Sequence, residues 1–255
     1  MTEITWDYFK WHMWDGDETY GGVVWNRKEE GARMKIYIVN ESSVISDDHV
    51  EAWLPGFQRY TWHVRAYWPR TVTLEFNVDP PEDAWLILLL DDADVDNALG
   101  YHDYTAGGKP ITKCFMKTDL DNGYNPTVTI THEIAEMMAD PWCSETFQFS
   151  NTEFYAKEIC DPCEADDQAY EINPEHGDTI KVSDFVTPAW FIPDHPGPIY
   201  DHAHLIHKPG EILEGGYMSV FNVDYGWTQY DHNGQMVPMD EKGAKSRPAK
   251  YARPR

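Results

Sequence analysis

Three residues on one short stretch carry the chemistry this chain offers most openly. The stretch is residues 127–141, T-V-T-I-T-H-E-I-A-E-M-M-A-D-P. Wound at about 100° per residue, it gathers Thr129, His132, Glu133, Glu136 and Asp140 on one arc, and Ile130, Ile134, Met137 and Met138 on the other. His132 and Glu136 are four residues apart, the spacing at which two side chains on one helix face grip a single cation. Glu133 stands beside them, where the general base of an H-E-x-x-H metalloprotease belongs. Here glutamate replaces the second histidine, so the motif reads H-E-x-x-E. Carboxylate oxygen binds zinc at nearly the same distance as imidazole nitrogen, about 2.0–2.2 Å. Each carboxylate also adds negative charge, which weakens the ion's pull on a bound water. The same pattern fits an ordinary amphipathic helix with a solvated acidic face.

The flanking residues define the helix that must position this set. Asn125 suits the N-cap and Pro126 the first helical position, while Pro141 stops the helix and forces Asp140 out of helical geometry. Upstream, Met34–Asn40 (M-K-I-Y-I-V-N) reads as a strand. Over 47–68, Val50, Leu54, Phe57, Thr61, Val64 and Trp68 recur at helical spacing, and Pro55-Gly56 places the start of that helix near residue 55. Residues 71–78 alternate as a strand, Trp85–Leu90 (W-L-I-L-L-L) reads as a strand buried on both faces, and 111–117 as another. Beyond Pro141 the regular pattern gives way to Pro, Gly and Asp, with two short strands expected within 170–182 and a last one at 220–230. Strand, helix, several strands and then a metal-type helix make an α+β plan: a mixed sheet packed on the H-E-x-x-E helix, with an irregular, loop-rich C-terminal part.

Composition bounds what such a domain meets. The chain has 255 residues, 42% hydrophobic and rich in Trp (11), which is a globular composition. Its net charge of −24 argues against nucleic acid or an anionic membrane as partner. Six of the cations (Lys242, Lys245, Arg247, Lys250, Arg253 and Arg255) lie in the last 14 residues, so that −24 overall means −30 for the rest. The reading is therefore an aromatic-rich arm over 1–33, a body over 34–237 and a basic tail over 238–255. The arm and tail are the segments that would contact virion or homo-oligomeric partners. No apolar h-region and no apolar run of about 18 residues is present, so the expected location is cytoplasm or virion.

Other clusters are weaker. Cys160-Asp161-Pro162-Cys163 is a C-x-x-C with no second pair to complete a zinc ribbon. Asp92, Asp94 and Asp96 mimic the first half of a calcium loop, but Asn97 takes the place of its glycine and Asp103 that of its final glutamate. His202, His204 and His207 lie between Pro198 and Pro209, where no regular element fixes their spacing.

Several stretches together resemble a family. They are Ile38-Val39-Asn40, residues 88–92, Ala98-Leu99-Gly100-Tyr101-His102-Asp103, residues 128–141 and 158–162, V-S-D-F-V-T-P-A-W-F at 182–191, and Gly215-Gly216-Tyr217. In combination, over residues 36–217, they resemble bacterial and tailed-phage proteins with a zincin-like, metallopeptidase-type core. More loosely, H-E-x-x-E-x-x-x-D-P followed by E-I-x-D-x-C is similar to secreted zincin-like bacterial proteins and plant phosphate-induced extracellular proteins. The resemblance implies a zinc ion with His132 and Glu136 as ligands, a third ligand from Glu158 or Asp161, and Glu133 as base. It sets Tyr101 and His102 on a strand lining the cleft, as oxyanion stabilisers or holders of an outer hydrogen bond. The activity it implies is hydrolysis of a peptide substrate; the alternative is a phage virion assembly protein built on a weakly active or inactive zincin-like fold.

Overall fold

A computed structural model describes residues 34–76, 79–95, 98–193 and 197–237, together with two short strands, β1 (Thr19–Tyr20) and β2 (Val23–Val24), which pair antiparallel. The rest of the aromatic arm, the basic tail, and Asp96 with Asn97 of the calcium-like run lie outside the described residues. The chain divides into two units, Met1–Arg33 and Met34–Arg255.

The apolar runs of the first half build one sheet. Its strands are β3 (Met34–Asn40), β4 (Val72–Phe76), β5 (Trp85–Leu90), β6 (Gly100–Tyr104) and β7 (Pro110–Phe115), in the order β4-β3-β5-β7-β6. All neighbours run parallel except β6, which pairs antiparallel with β7 at the edge. The expectation that β5 is sealed on both faces does not hold: Ile87 and Leu89 are fully buried, whereas the alternating residues are half-covered. The described helices α1 (Asp47–Arg65) and α3 (Pro126–Ala139) contribute Val50, Phe57, Ile130 and Ile134 to one core with Ile36, Ile38, Ile87 and Leu89. Each such fully buried side chain contributes about 1.5–3 kcal/mol relative to exposure.

Helix α1 starts well before the expected position. Ser46 caps it by accepting from the His49 N–H, and Pro55 lies in its interior. Proline there removes a helical hydrogen bond, a cost normally decisive against an interior site. The turn around it is braced from outside: the Asp178 N–H donates to the Ala52 carbonyl at 2.9 Å, and Gly56 sits so close to β11 (Ile180–Val182) that a Cβ would lie 2.6 Å from Ile180. A second unexpected element is α2 (Met116–Asn122), which takes over the end of the segment read as a strand. The Asp91 carbonyl accepts from the Lys117 and Thr118 N–H groups at its start.

The C-terminal half is more regular than its composition implies. Strands β8 (Thr146–Gln148) and β9 (Glu153–Ala156) join β12 (Tyr217–Asn222), β13 (Gly226–Asp231) and β14 (Met236–Val237) in an antiparallel sheet ordered β14-β13-β12-β9-β8. The expected last strand over 220–230 is instead a hairpin, reversing before Gly226, whose φ of 87° suits a residue without Cβ. β10 (Tyr170–Ile172) and β11 pair as the two short strands expected around His176-Gly177. No described helix is long and apolar enough to cross a membrane.

Candidate metal centre

Helix α3 forms for local reasons. Asn125 Oδ1 accepts from the Thr127 N–H at 3.0 Å and Pro126 occupies the first turn. At the other end Asp140 leaves helical geometry, and its Oδ2 accepts from the Ser144 and Glu145 N–H groups at 2.8 and 2.7 Å. Asp140 is thus occupied in a helix-end turn. The polar arc, however, is not solvated. Every helical residue is buried except His132, whose side chain is 14% exposed. A helix that buries carboxylates needs partners for them, because an unpaired buried charge is costly.

Those partners come from two sides. On one side the edge strand β6 lies against α3 through Gly100, where a Cβ would fall 2.9 Å from Glu133 Oε1 and 3.1 Å from Thr129 Cγ2. The absence of a side chain lets His102, two residues on, face the helix. Its Nδ1 lies 3.6 Å from Glu133 Oε2 and 3.4 Å from Glu136 Oε2. On the other side, a 3-10 turn at Asp161–Cys163 places Asp161 Oδ1 3.4 Å from His132 Nε2, which is also 3.4 Å from Glu136 Oε1. Two groups of convergent donor atoms result, His132/Glu136/Asp161 and His102/Glu133/Glu136.

The separations carry information. A charge-assisted N–H···O bond closes to about 2.7–2.9 Å. Ligand atoms about 2.0–2.1 Å from a tetrahedral zinc lie about 3.3–3.4 Å from one another. The His132, Glu136 and Asp161 contacts match the second figure. The donor set, one imidazole nitrogen and two carboxylate oxygens, is one zinc accepts, and Glu133 Oε2, buried beside it, has no hydrogen-bond partner among the described residues.

Charge crowding marks the same place. Burial, then the Glu136 carboxylate, push Asp161 up to about 7, and burial with Asp161 pushes Glu164 up to about 8. Burial opposes charge on Glu136, yet His132 and His102 hold its carboxyl below the usual range. Burial also opposes charge on His132, but Glu136 and the other neighbours hold it well above the ordinary histidine value.

Of the residues expected at the site, His132, Glu133, Glu136, Asp161 and His102 are brought together. Tyr101 is not. It alternates with Gly100 and His102 on β6, and its hydroxyl donates to Asp94 at 3.0 Å, the carboxylate that also takes Lys113. Glu158 is buried but belongs to neither group, so between the two acids named as a third ligand the geometry favours Asp161. Cys160 and Cys163 are buried free thiols, each pushed up by burial; the Cys160 N–H donates to Glu136 Oε1 at 3.3 Å. His202, His204 and His207 join neither group.

Two residues escaped the sequence reading as chemical groups. Glu164 follows the C-x-x-C turn, and Tyr217 opens β12. Burial, then Asp161 and Glu164, push the Tyr217 phenol well up, so it stays protonated. Its position depends on Gly216, where a Cβ would meet the Pro162 and Asp161 carbonyl oxygens at 2.6 and 2.7 Å. The Gly-Gly-Tyr run was the available signal. Two surface depressions, one along β8–β9 and one along β12–β13, are lined by none of the cluster's residues, so buried polar chemistry rather than concavity singles out the site. Comparison of the chain with protein-family models, with curated proteins and with solved structures finds no match in any of the three.

Proposed function

We propose that the protein is a zinc-dependent hydrolase of metallopeptidase type, acting on a peptide bond. The observation that supports it most is the convergence of His132 Nε2, Glu136 Oε1 and Asp161 Oδ1 at ligand spacing, with Glu133 Oε2, which has no hydrogen-bond partner among the described residues, on the adjacent position of the same helix. A mixed sheet packed on an H-E-x-x-E helix is also the arrangement a zincin-like resemblance implies. A zinc ion held by these three residues would supply Lewis acidity and bring the pKa of water toward neutrality.

The chain's own residues do the rest. Glu133 takes the proton of the attacking water and returns it to the leaving amine. His102, its Nε2 fixed on the Asp140 carbonyl oxygen at 3.2 Å, closes over Glu133 from the strand side, so the sheet edge walls the base in. Tyr217, kept protonated, donates to the negative oxygen that develops on the substrate carbonyl. The glutamate in place of a second histidine makes this a weaker activator of water than a histidine-rich centre. An assembly role on the same scaffold is the alternative; the arm and tail that would carry it lie outside the described residues.

The test combines metal content with activity. Purified protein should carry zinc, and Glu133→Gln should keep it while losing at least about 100-fold in cleavage of a peptide library, the lower range for a general base. Full activity in Glu133→Gln would rule out the mechanism.

A further inference from the structure

The centre described above uses one oxygen of Glu136; the other faces away from it. Glu136 Oε1 turns to His132 and the Cys160 N–H, whereas Oε2 turns to His102 Nδ1 at 3.4 Å. Glu133 Oε2 approaches the same nitrogen at 3.6 Å. The tautomer of His102 is set by its other nitrogen. Nε2 lies 3.2 Å from the Asp140 carbonyl oxygen, which only accepts, so Nε2 carries the hydrogen. In the neutral ring Nδ1 then presents its lone pair to two carboxylate oxygens. Three electron-rich atoms cannot converge unless a cation lies among them.

A proton on Nδ1 is the simplest cation, but it would draw a carboxylate to about 2.7–2.9 Å. Separations of 3.4 and 3.6 Å are instead near the edge, about 3.3–3.4 Å, of a tetrahedral zinc site. The group is almost sealed: His102 and Glu133 are each 4% exposed and Glu136 3%. Glu133 Oε2, aimed into it, has no hydrogen-bond partner among the described residues.

We propose that α3 carries a second divalent-cation site, built from His102 Nδ1, Glu133 Oε2 and Glu136 Oε2, with Glu136 bridging it to the first. Filling it engages the oxygen that serves as base, so the second ion opposes the hydrolysis proposed above; that consequence rests on that reading, while the site itself does not. Excess zinc is then an inhibitor acting from within the centre.

Stripped full-length protein titrated with zinc alone, followed by calorimetry, tests this. Wild type should take two equivalents per chain. His102→Ala and His102→Gln should each take one, with the second step weakened at least tenfold, and an unchanged thermal midpoint in the Gln variant shows the fold is kept. His132→Ala should keep the equivalent that His102→Ala loses. Saturation at one equivalent, lost in His132→Ala but not in His102→Gln, would overturn the second site and leave the first standing. A second equivalent unaffected by either His102 variant would overturn it too. No binding at all would overturn both.

Discussion

Among the described residues, two places bring buried acids and histidines together, and they treat them differently. At the second place Asp184 and Asp201 are both fully buried, as a pair, beneath the loop that carries His202. There the backbone answers the charge. Asp201 accepts from the Leu205 and Ile206 N–H groups at 2.7 and 2.9 Å, and Asp184 accepts from Ala203 at 2.9 Å. Burial, then the neighbouring Asp201 carboxyl, push Asp184 well up. His202 stacks between Phe185 and His63 at centroid distances of 5.2 and 4.9 Å. On α3, by contrast, the one backbone N–H among the described residues that reaches these carboxylates is that of Cys160, and imidazole nitrogens stand 3.4–3.6 Å from oxygen. Backbone N–H groups meet both carboxylate oxygens of Asp201 and one of Asp184. On α3 the separations are instead those of ligand atoms around an ion. Burial of charged residues is common to both, so what distinguishes them is how many carboxylate oxygens the backbone meets and how the imidazole nitrogens are spaced from the rest.

One change on each side should split the two readouts. Asp161→Asn removes charge from the crowded cluster and keeps its volume. Zinc affinity should fall at least about 100-fold, more than the loss of an outer partner costs, while the metal-free protein melts no lower than wild type. Asp201→Ala should do the reverse. It leaves the buried Ile206 N–H without an acceptor, about 1–3 kcal/mol, and removes that of the part-buried Leu205 N–H, so thermal or urea unfolding should shift downward with zinc affinity unchanged. A variant at Asp201 that lost metal while keeping its melting temperature would erase the distinction.

The two places also differed in how far the sequence revealed them. Helix α3 was legible to the residue because its signals are local: a capping Asn125, Pro126 inside the first turn, Pro141 beyond the end, and ligands one turn apart. The strands β3 and β5 were legible as apolar runs. What failed was non-local. Pro55 and Gly56 read as a break, yet the helix runs through them, packed at Gly56 on Ile180 and met at Ala52 by the Asp178 N–H, both more than a hundred residues on. Asp161 entered through a resemblance and not through spacing, and Glu164 and Tyr217 had no local pattern that tied them to His132. The burial of the polar arc was likewise hidden, since one helix cannot say that β6 will close over it. For the same reason H-A-H-L-I-H looked like a ligand cluster by count, although its first histidine is an aromatic packing element.

That last point makes the smallest prediction. Burial first, then repulsion by His63 and His204, lower His202 from 6.5 to about 4, with Asp201 opposing. The groups that face it are His63 and Tyr67 from α1 and the turn after it, Tyr170 from β10, Phe185, and its loop neighbours Asp201 and His204. Because the folded pKa is depressed, the unfolded chain binds the extra proton first as pH falls. Stability is therefore full above about pH 6.5 and declines as pH drops toward 4, with a ceiling of about 3 kcal/mol that partial exposure reduces to about 2. His202→Phe keeps the stack on Phe185 and removes the titration, so its stability should fall less than that of wild type between those limits. The measurement is urea unfolding at pH 7 and pH 4.5 in metal-free protein, which keeps the α3 centre from contributing its own metal-linked protons. If wild type and His202→Phe lose the same stability, the imidazole is charged in the folded loop, and the His202 region is no longer the neutral counterpart of the α3 cluster.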